Sequence, residues 1–574
     1  MNAKRGKSDK KQSYFHPKLL TCLKSGYGTS AFLNDLVAGT TVSIVAVPLA
    51  IAFAIVSGVE PIRGIYTAVI GGFLISLLGG SRVQIGGPTG AFVVIIFSVI
   101  QNHGYDGLVI VTLMAGVMLI AMGIGRFGRV IKYIPYPVTT GFTSGIALII
   151  FSSQIKDFFG LQMEQVPADF LFKWVEYVVH LKTVNFSAFF LAVLSTLIII
   201  LIRKHNPKIP GSMLTVIGMS FIVWYFNLPV ETVESRFGEI KGALPSFYVP
   251  EITLQKIRLL LPEALTVALL AAIESLLSAV VADGMTGDKH HSDSELIAQG
   301  VANIFSVSFG GIAATGAIAR TVTNIKMGGK TPIAGIIHAL LLLLYLLALG
   351  SLVGKIPLCV LAAILIVVAW NMAEIDHFRH MLMAPRSDVV VMLSVFLLTV
   401  LVDLTIAVQF GVVLASLLFI RRMSEVSNIV ATSKMLENGI DMQAENDPDT
   451  ISKKDVPDGV EVYEINGPFF FGIADKLMDV LEVVEAHPKI FILRMRKVPV
   501  IDATALHALE EFYFKCQRHH IVLILSGVRE NLLYTIRKMG LDRIIGQENI
   551  SSHIDDALSR ARKIIETAGN NAAK

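Results

Sequence analysis

The sequence predicts a polytopic α-helical membrane protein with a small soluble α/β domain at its C-terminal end, and three observations carry that expectation. The 574 residues are 53% hydrophobic and only 16% charged, with a mean hydropathy of +0.64, too apolar for an ordinary soluble chain. Charge-free runs close to the ~20 residues that a bilayer core demands recur between Val37 and Ile420. Charge then concentrates, with 42 of the 94 Asp, Glu, Lys and Arg residues lying from Arg422 onward.

Taken in order, residues 1–36 begin with Lys4, Arg5, Lys7, Lys10 and Lys11 and no adjoining apolar core. They read as a cytoplasmic segment without a cleavable signal, its end an interfacial approach. The first span is 37–59, with Pro48 in its middle removing a helix hydrogen bond beside a cavity that Phe53 would line. A span at 64–80, a short interrupted segment from Thr89 to Ile100, and spans at 108–125, 133–155, 183–202 and 209–230 complete seven elements. Residues 231–262 form an amphipathic connector. A second seven follow at 264–282, 296–309, a short segment at 315–326, then 331–354, 356–373, 389–402 and 404–420. The membrane domain is thus 37–421, in halves of about 37–230 and 263–421, and an even number of elements puts both termini on one side. A polar linker covers 422–455. From 456 to 567, strands at 461–465, 469–471, 489–495 and 521–526 alternate with amphipathic helices near 474–485, 503–518, 530–539 and 553–567, a one-sheet α/β domain before a tail at 568–574.

The two short segments carry the functional expectation. Gly86 to Phe92 reads Gly-Gly-Pro-Thr-Gly-Ala-Phe, and 310–320 reads Gly-Gly-Ile-Ala-Ala-Thr-Gly-Ala-Ile-Ala-Arg, so Thr-Gly-Ala recurs in corresponding places of the two halves. A helix that starts inside a membrane points unpaired N–H groups and about half a positive charge at whatever lies there, and glycine-interrupted segments mark such starts in transporters. Small residues let an anion touch backbone. The expected substrate-binding residues are therefore Phe53, Thr89, Gly90, Ala91, Phe92, Ala317, Ile318, Ala319 and Arg320, the last adding a fixed charge. Glu274 sits in the middle of a span, where an ionisable group costs about 3 kcal/mol and normally faces a pathway; it is the expected proton carrier, with Arg320 or a backbone N–H as its structural partner otherwise.

Other chemistry is excluded. Cys22, Cys359 and Cys516 lack metal or disulfide spacing, no HExxH or GxSxG occurs, and Asn324 stands where a phosphate-binding loop ending in Gly329-Lys330-Thr331 needs its first glycine. No enzyme, metal, cofactor or nucleic-acid partner is expected. Asp283, Lys326 and Lys330 read as interfacial anchors and His290-His291 as solvated loop residues.

Gly-Gly-Ser-Arg-Val-Gln at 79–84, Gly-Pro-Thr-Gly-Ala-Phe at 87–92, Gly-Phe-Thr-Ser-Gly at 141–145 and Gly-Gly-Lys-Thr at 328–331 together resemble the SulP anion transporters, relatives of the sulfate permeases, pendrin and prestin. The resemblance implies fourteen membrane segments as two inverted repeats of seven, a core moving against a gate domain, a homodimer, and a C-terminal STAS domain, the last carried by Val-Ile-Asp-Ala-Thr-Ala-Leu at 500–506. Residues 272–287 and Val-Ala-Trp-Asn-Met at 368–372 are similar to the bacterial C4-dicarboxylate carriers of that family, which implies proton-linked uptake of succinate, fumarate or aspartate at a bacterial inner membrane, with bicarbonate or sulfate as the alternative. Sodium-coupled members have Asp, Thr and Thr where this chain has Glu274, Ser278 and Ile318, so Glu274 and Ser278 are expected to couple protons. Ala503 replaces the serine that anti-sigma-factor antagonists phosphorylate, so a phospho-switch there is not expected. A membrane scaffold or sensor that captures a cytoplasmic partner through its STAS domain, or an anion channel, is the alternative of a different class.

Overall fold

The computed structural model describes residues 15–129, 135–163, 166–167, 169–206, 209–240, 242–402, 404–426, 428–431, 454–470, 476–478 and 488–572. The expected basic tail, most of the linker and most of the helix near 474–485 lie outside the described residues. Two compact units are present, Met1–Ala415 and Ser416–Lys574.

In the first unit a short helix α1 (Lys18–Lys24) precedes α2 (Thr29–Val56), which runs through Pro48 without stopping. α2 begins before residue 37 because the charge in its way, Asp35, is fully buried and bonded rather than solvated. Proline opens α3 (Pro61–Leu78), where its missing N–H costs nothing. Strand β1 (Gly86–Gly87) leads into α4 (Gly90–Ile124), which is two helices: Gly104, at φ 64° and ψ −170°, breaks it into the expected half-crossing and a full one, in a conformation that only glycine adopts readily. The half then continues through α5 (Tyr136–Ser153), α6 (Ile155–Phe159), α7 (Phe170–Val179), α8 (Phe186–His205) and α9 (Gly211–Phe226). Asp169 and Asn185 cap α7 and α8 with side-chain oxygens.

The connector holds only two short helices, α10 (Val233–Phe237) and α11 (Leu254–Leu259). The second half is α12 (Leu261–Thr286), α13 (Ser292–Ser308), β2 (Thr315–Gly316), α14 (Ile318–Lys326), α15 (Ile333–Gly354), α16 (Leu358–Met372), α17 (Ile375–Met381), α18 (Arg386–Leu401) and α19 (Leu404–Val426). Helices thus occupy every expected membrane position. Among the described residues, nine helical stretches are long and apolar enough to cross a bilayer, and α9 is apolar but shorter.

Packing divides them by position within each half. The first four elements of one half, α2, α3 and both parts of α4, pack against their counterparts α12, α13, α14 and α15. The later helices α5, α8, α9, α16 and α18 form a second group. Small residues bring backbones together: Gly116 and Gly300 face each other where α4 crosses α13, and a Cβ on Gly141 or Gly145 of α5 would collide with Met392 or Thr399 of α18.

The Gly-Gly-Lys-Thr turn at 328–331 is tied to α2 by an internal anion. Asp35 accepts from the Lys330 N–H (2.7 Å), the Thr331 N–H (3.1 Å), the Thr331 hydroxyl (2.5 Å) and the Tyr27 hydroxyl (3.0 Å). The motif that mimics a phosphate loop is therefore filled by a carboxylate of the same chain. Lys330 belongs to that anchored turn.

In the second unit β3 (Asn428–Ala431), β4 (Val460–Asn466) and β5 (Ile490–Lys497) are followed by α20 (Ala503–Arg518), β6 (Val522–Ser526), α21 (Glu530–Lys538), α22 (Leu541–Ile545) and α23 (Ile554–Ala572). The sheet order is β3-β4-β5-β6, with β3 antiparallel and the rest parallel. Alternation sorts the faces: Phe491, Leu493 and Met495 pack with Leu509 and Phe512 of α20, whereas Ile490 and Ile492 pack with Ile554 and Leu558 of α23. Two expectations differ from the structure. β3 lies inside the stretch expected as linker, and of 469–471 Phe469 makes only an isolated bridge to Ile501. Asp502 caps α20 by accepting from the Ala505 N–H at 2.8 Å, which gives the Val-Ile-Asp-Ala motif a helix-starting role.

Buried Glu464 on β4 faces Arg496 (2.8 Å), Lys497 (3.0 Å) and Arg494 (3.5 Å). Burial pushes its carboxyl up, but hydrogen bonds from Lys497 and Arg496 and the charge of Arg494 outweigh it and hold the group below the usual carboxylate range. A depressed carboxyl stabilises the fold above its unfolded pKa of about 4.3, and that contribution is lost as pH falls through the lower folded value. Hydrogen exchange of the full chain is therefore expected to show β4 and β5 loosening as pH drops from about 5 toward 3, a response that Glu464→Gln largely removes; acid-insensitive exchange in the parent contradicts this. Asp35→Ala leaves several buried donors without a partner and is expected to cost roughly 3–5 kcal/mol, read as a lower thermal midpoint of the detergent-solubilised protein. An unchanged midpoint would show that the turn holds without it.

Candidate anion-binding site

The two glycine-rich segments meet. β1 pairs antiparallel with β2, Gly86 opposite Gly316 and Gly87 opposite Thr315, and the Ala317 N–H adds a bond to the Ile85 carbonyl at 2.8 Å. Immediately after these strands the chain turns into α4 at Gly90 and into α14 at Ile318, so both helix N-termini start from one two-stranded ribbon inside the bundle.

Polar side chains buried in neighbouring helices hold each strand, because backbone groups outside a helix must find partners in an apolar interior. On the 310–317 side, Asn303 of α13 clasps Ala314 through both its amide atoms, accepting from the N–H (2.9 Å) and donating to the carbonyl (2.8 Å). Thr67 of α3 accepts from the Ile312 N–H at 2.7 Å, Ser306 donates to the Ile312 carbonyl at 2.7 Å, and Thr315 donates to the Ala271 carbonyl at 3.2 Å. On the 79–87 side, Glu295 of α13 accepts from the Gly80 and Ser81 N–H groups (2.8 and 3.2 Å) and Asn324 donates to the Val83 carbonyl (2.8 Å). Gln84 donates to the Ser275 carbonyl at 3.3 Å.

Neither helix is capped by its own side chain. Thr89, the N-cap residue of α4, instead donates its hydroxyl to Glu274 Oε2 of α12 at 2.9 Å, and Ala317 at the head of α14 has no group to offer. The Phe92 N–H reaches the Thr89 carbonyl at 3.4 Å, and the N–H groups of Gly90, Ala91, Ile318 and Ala319 are left for another acceptor. Arg320, buried to 3% exposure, sends Nη2 to the Pro88 carbonyl at 3.0 Å, at the foot of α4. Its Nη1 is buried without a partner, and a Cβ on Gly87, whose φ is 147°, would run into it. Gly87 is thus required both for its backbone and for the space that the guanidinium fills. Fully buried His338 on α15 likewise has neither ring nitrogen bonded.

Phe53, Thr89, Gly90, Ala91, Phe92, Ala317, Ile318, Ala319, Arg320 and Glu274 accordingly lie at or beside the two tips. The Phe53 ring is 3.5 Å from where a Gly90 side chain would start. Ser278, one turn after Glu274 on α12, is fully buried and its hydroxyl bonds to Thr321 Oγ1 (3.3 Å), which in turn accepts from the Ile85 N–H (3.1 Å), so it braces the β1 approach. Two residues that sequence reasoning did not single out, Ile150 of α5 and Met372 of α16, each come within 3.3 Å of the Gly90 side-chain position. Met372 belongs to the quoted 368–372 motif, which was its available signal. Asn303 and His338 carried the same signal as Glu274, a polar group within an apolar run, whereas Glu295 closes the hydrophilic stretch 288–295 and carried none. His290 differs from expectation. Its side chain is 2% exposed rather than solvated, held by Asp283 Oδ2 (2.7 Å) and Ser292 Oγ (2.9 Å), which also makes Asp283 a partner of that loop.

Electrostatically, two N-termini at about +0.5 each and one guanidinium give a field of about +2, reduced to about +1 when Glu274 is ionised. A field of this size suits a small anion and changes with the charge of the neighbouring carboxyl. Among the described residues no cluster of His, Cys, Asp and Glu has the make-up of a metal site.

Comparison with known proteins identifies the family. Residues 32–395 match the sulfate permease family and residues 452–557 the STAS domain. The protein YvdB of Bacillus subtilis is 43% identical over 533 residues, covering 92% of this chain and 98% of its own. The bicarbonate transporter BicA of Picosynechococcus is 32% identical over 456 residues, covering 77% of this chain and 79% of its own. The solved transmembrane domain of a cyanobacterial BicA superposes with a TM-score of 0.60 at 32% identity, covering 67% of this chain and 98% of that one. The murine Slc26a9 anion transporter, at 19% identity, superposes with a TM-score of 0.86 over 98% of this chain and 97% of its own, which shows a common fold. With its membrane unit matched along most of its length and a relative sharing 43% identity nearly end to end, the chain belongs to the sulfate permease family and is an anion transporter with a C-terminal STAS domain.

Proposed function

We propose that this protein is a proton-coupled importer of small anions that works by alternating access, with the anion held between the N-termini of α4 and α14. The observation that carries the reading is the direct joining of those two uncapped helix starts through β1 and β2, with the Arg320 guanidinium at the joint and the Glu274 carboxyl bonded to Thr89. C4-dicarboxylates such as succinate, fumarate and aspartate are the proposed substrates, from the likeness at 272–287 and 368–372. Sulfate or bicarbonate is the second reading, favoured by the family's description and by the name of BicA. The protein would reside in a bacterial inner membrane as a homodimer with both termini cytoplasmic, and its STAS domain would be the surface for a cytoplasmic partner.

The coupling follows from charge. Bringing a dianion inward against 100 mV costs roughly 4.6 kcal/mol, twice the cost per elementary charge, and one accompanying proton halves it. A proton on Glu274 also restores about one unit of positive field beside the anion, so proton and anion favour each other's binding. Phe53, Ile150 and Met372 bring apolar side chains from three helices to the same tip, and α5 and α16 belong to the second packing group. Movement of that group against the first would open and close access.

The test is uptake into proteoliposomes holding the purified protein, with succinate, sulfate and bicarbonate compared under inward and zero pH gradients. Succinate uptake is expected to rise several-fold with acid outside, and Glu274→Gln to retain binding while losing that rise. Uptake indifferent to the gradient in the parent, or a gradient response intact in Glu274→Gln, rejects proton coupling through this residue. Arg320→Gln is expected to lower kcat/KM by about 10²-fold or more, as for loss of a buried charge that complements the anion, with normal elution on size exclusion. Near-parental kinetics in that variant would move the anion elsewhere.

A further inference from the structure

Away from the two tips, the second packing group carries a crevice of about 690 Å³ between α8 and α16. Its walls are apolar or small, Thr196 and Ile200 from α8 and Ile366 and Val367 from α16, and its end is polar: Arg203, Lys204, Trp370 and Asn371. α8 and α16 both finish here, so the crevice runs from mid-helix to the last turns of two membrane helices. Trp370 is 70% exposed beside it, the placement of an aromatic ring at a membrane–water boundary.

The charges at this end are uncompensated. Arg203 Nη1 donates to the Asn371 side-chain oxygen at 2.5 Å, a neutral acceptor that bridges the two helices, and among the described residues neither Arg203 nor Lys204 joins an ion pair with a carboxylate. Both side chains are exposed, as is His205 that follows. Two exposed cations, without a carboxylate partner among the described residues, above an apolar channel at a bilayer boundary match one molecule in both parts: an anionic headgroup above an acyl chain. The crevice has the size of an ordinary ligand pocket.

We infer that the α8–α16 crevice is a binding site for an anionic phospholipid, its phosphate on Arg203 and Lys204, its glycerol region beside Trp370 and one acyl chain along Ile200, Ile366 and Val367. The site lies on helices of the group that also supplies Ile150 and Met372, so lipid in the crevice braces part of the machinery that closes over the anion. This rests on the crevice and its charges alone and stands whatever anion is carried.

Trp370 reports on the site. The chain has three tryptophans, and Trp174→Phe with Trp224→Phe leaves Trp370 alone. The full-length protein in that background is reconstituted into phosphatidylcholine vesicles, with either acyl-brominated phosphatidylglycerol or acyl-brominated phosphatidylcholine added at equal mole fraction. Quenching of Trp370 is expected to show a preference for phosphatidylglycerol of roughly fivefold per cation, as for basic residues meeting anionic headgroups. Arg203→Gln with Lys204→Gln is expected to bring the preference close to one, with unchanged elution and emission in unbrominated vesicles. Equal quenching by both lipids in the parent overturns the inference, and so does a preference that survives the double substitution. Loss of the parent's preference on adding millimolar inorganic phosphate at constant ionic strength also overturns it, because the cations would then hold a free anion rather than a lipid.

Discussion

A four-residue ribbon, Gly86-Gly87 against Thr315-Gly316, is the constraint on which the membrane unit depends. Each strand lies in an environment without water, where every peptide group needs an internal partner. By pairing with each other the strands satisfy part of that need and, in doing so, fix the starts of α4 and α14 next to one another. The same pairing leaves the first turns of both helices without caps, so backbone donors are concentrated in one place at no cost in side-chain charge. Arg320 then bonds across to Pro88, making one half's guanidinium part of the other half's helix start.

The surrounding helices serve that ribbon. Asn303 and Glu295 sit on one helix, α13, and reach the segments that lead into opposite strands, while Thr67, Ser306, Gln84 and Asn324 complete the set. Asp35 does comparable work one turn further on, taking the N–H groups of the 330–331 turn so that α14 and α15 are joined through α2. A buried carboxylate with several donors is costly to remove and highly directional, which suits a rigid scaffold.

The sequence made much of this legible and some of it not. Apolar runs located the membrane elements because hydrophobic length is read directly, and the repeated Thr-Gly-Ala marked both half-helices because only small residues tolerate such close backbone contact. Helix ends were missed where a charge was assumed to be solvated, as at Asp35, and His290, a loop residue as expected, is enclosed by Asp283 and Ser292 rather than solvated. The residues that hold the ribbon escaped notice for a related reason. Their partners are distant in the chain, Thr67 with Ile312 and Glu295 with Gly80, and nothing local in the sequence reports such a bond. Ser278, one turn beyond Glu274 on α12, bonds to Thr321 and supports the approach to β1, another contact between residues far apart in the chain. β3 went unrecognised because a four-residue edge strand within a polar stretch carries almost no periodic signal.

The central claim is that opposed helix starts, reinforced by Arg320, form the anion site, and the position of a bound anion tests it most directly. Anomalous diffraction from crystals of the full chain grown with selenate, a strongly scattering oxyanion, would locate it. The account expects the selenium peak within hydrogen-bonding reach of the backbone N–H groups at Gly90–Ala91 and Ile318–Ala319, and its loss in Arg320→Gln. A peak remote from both tips, or one of full strength in that variant, would contradict it.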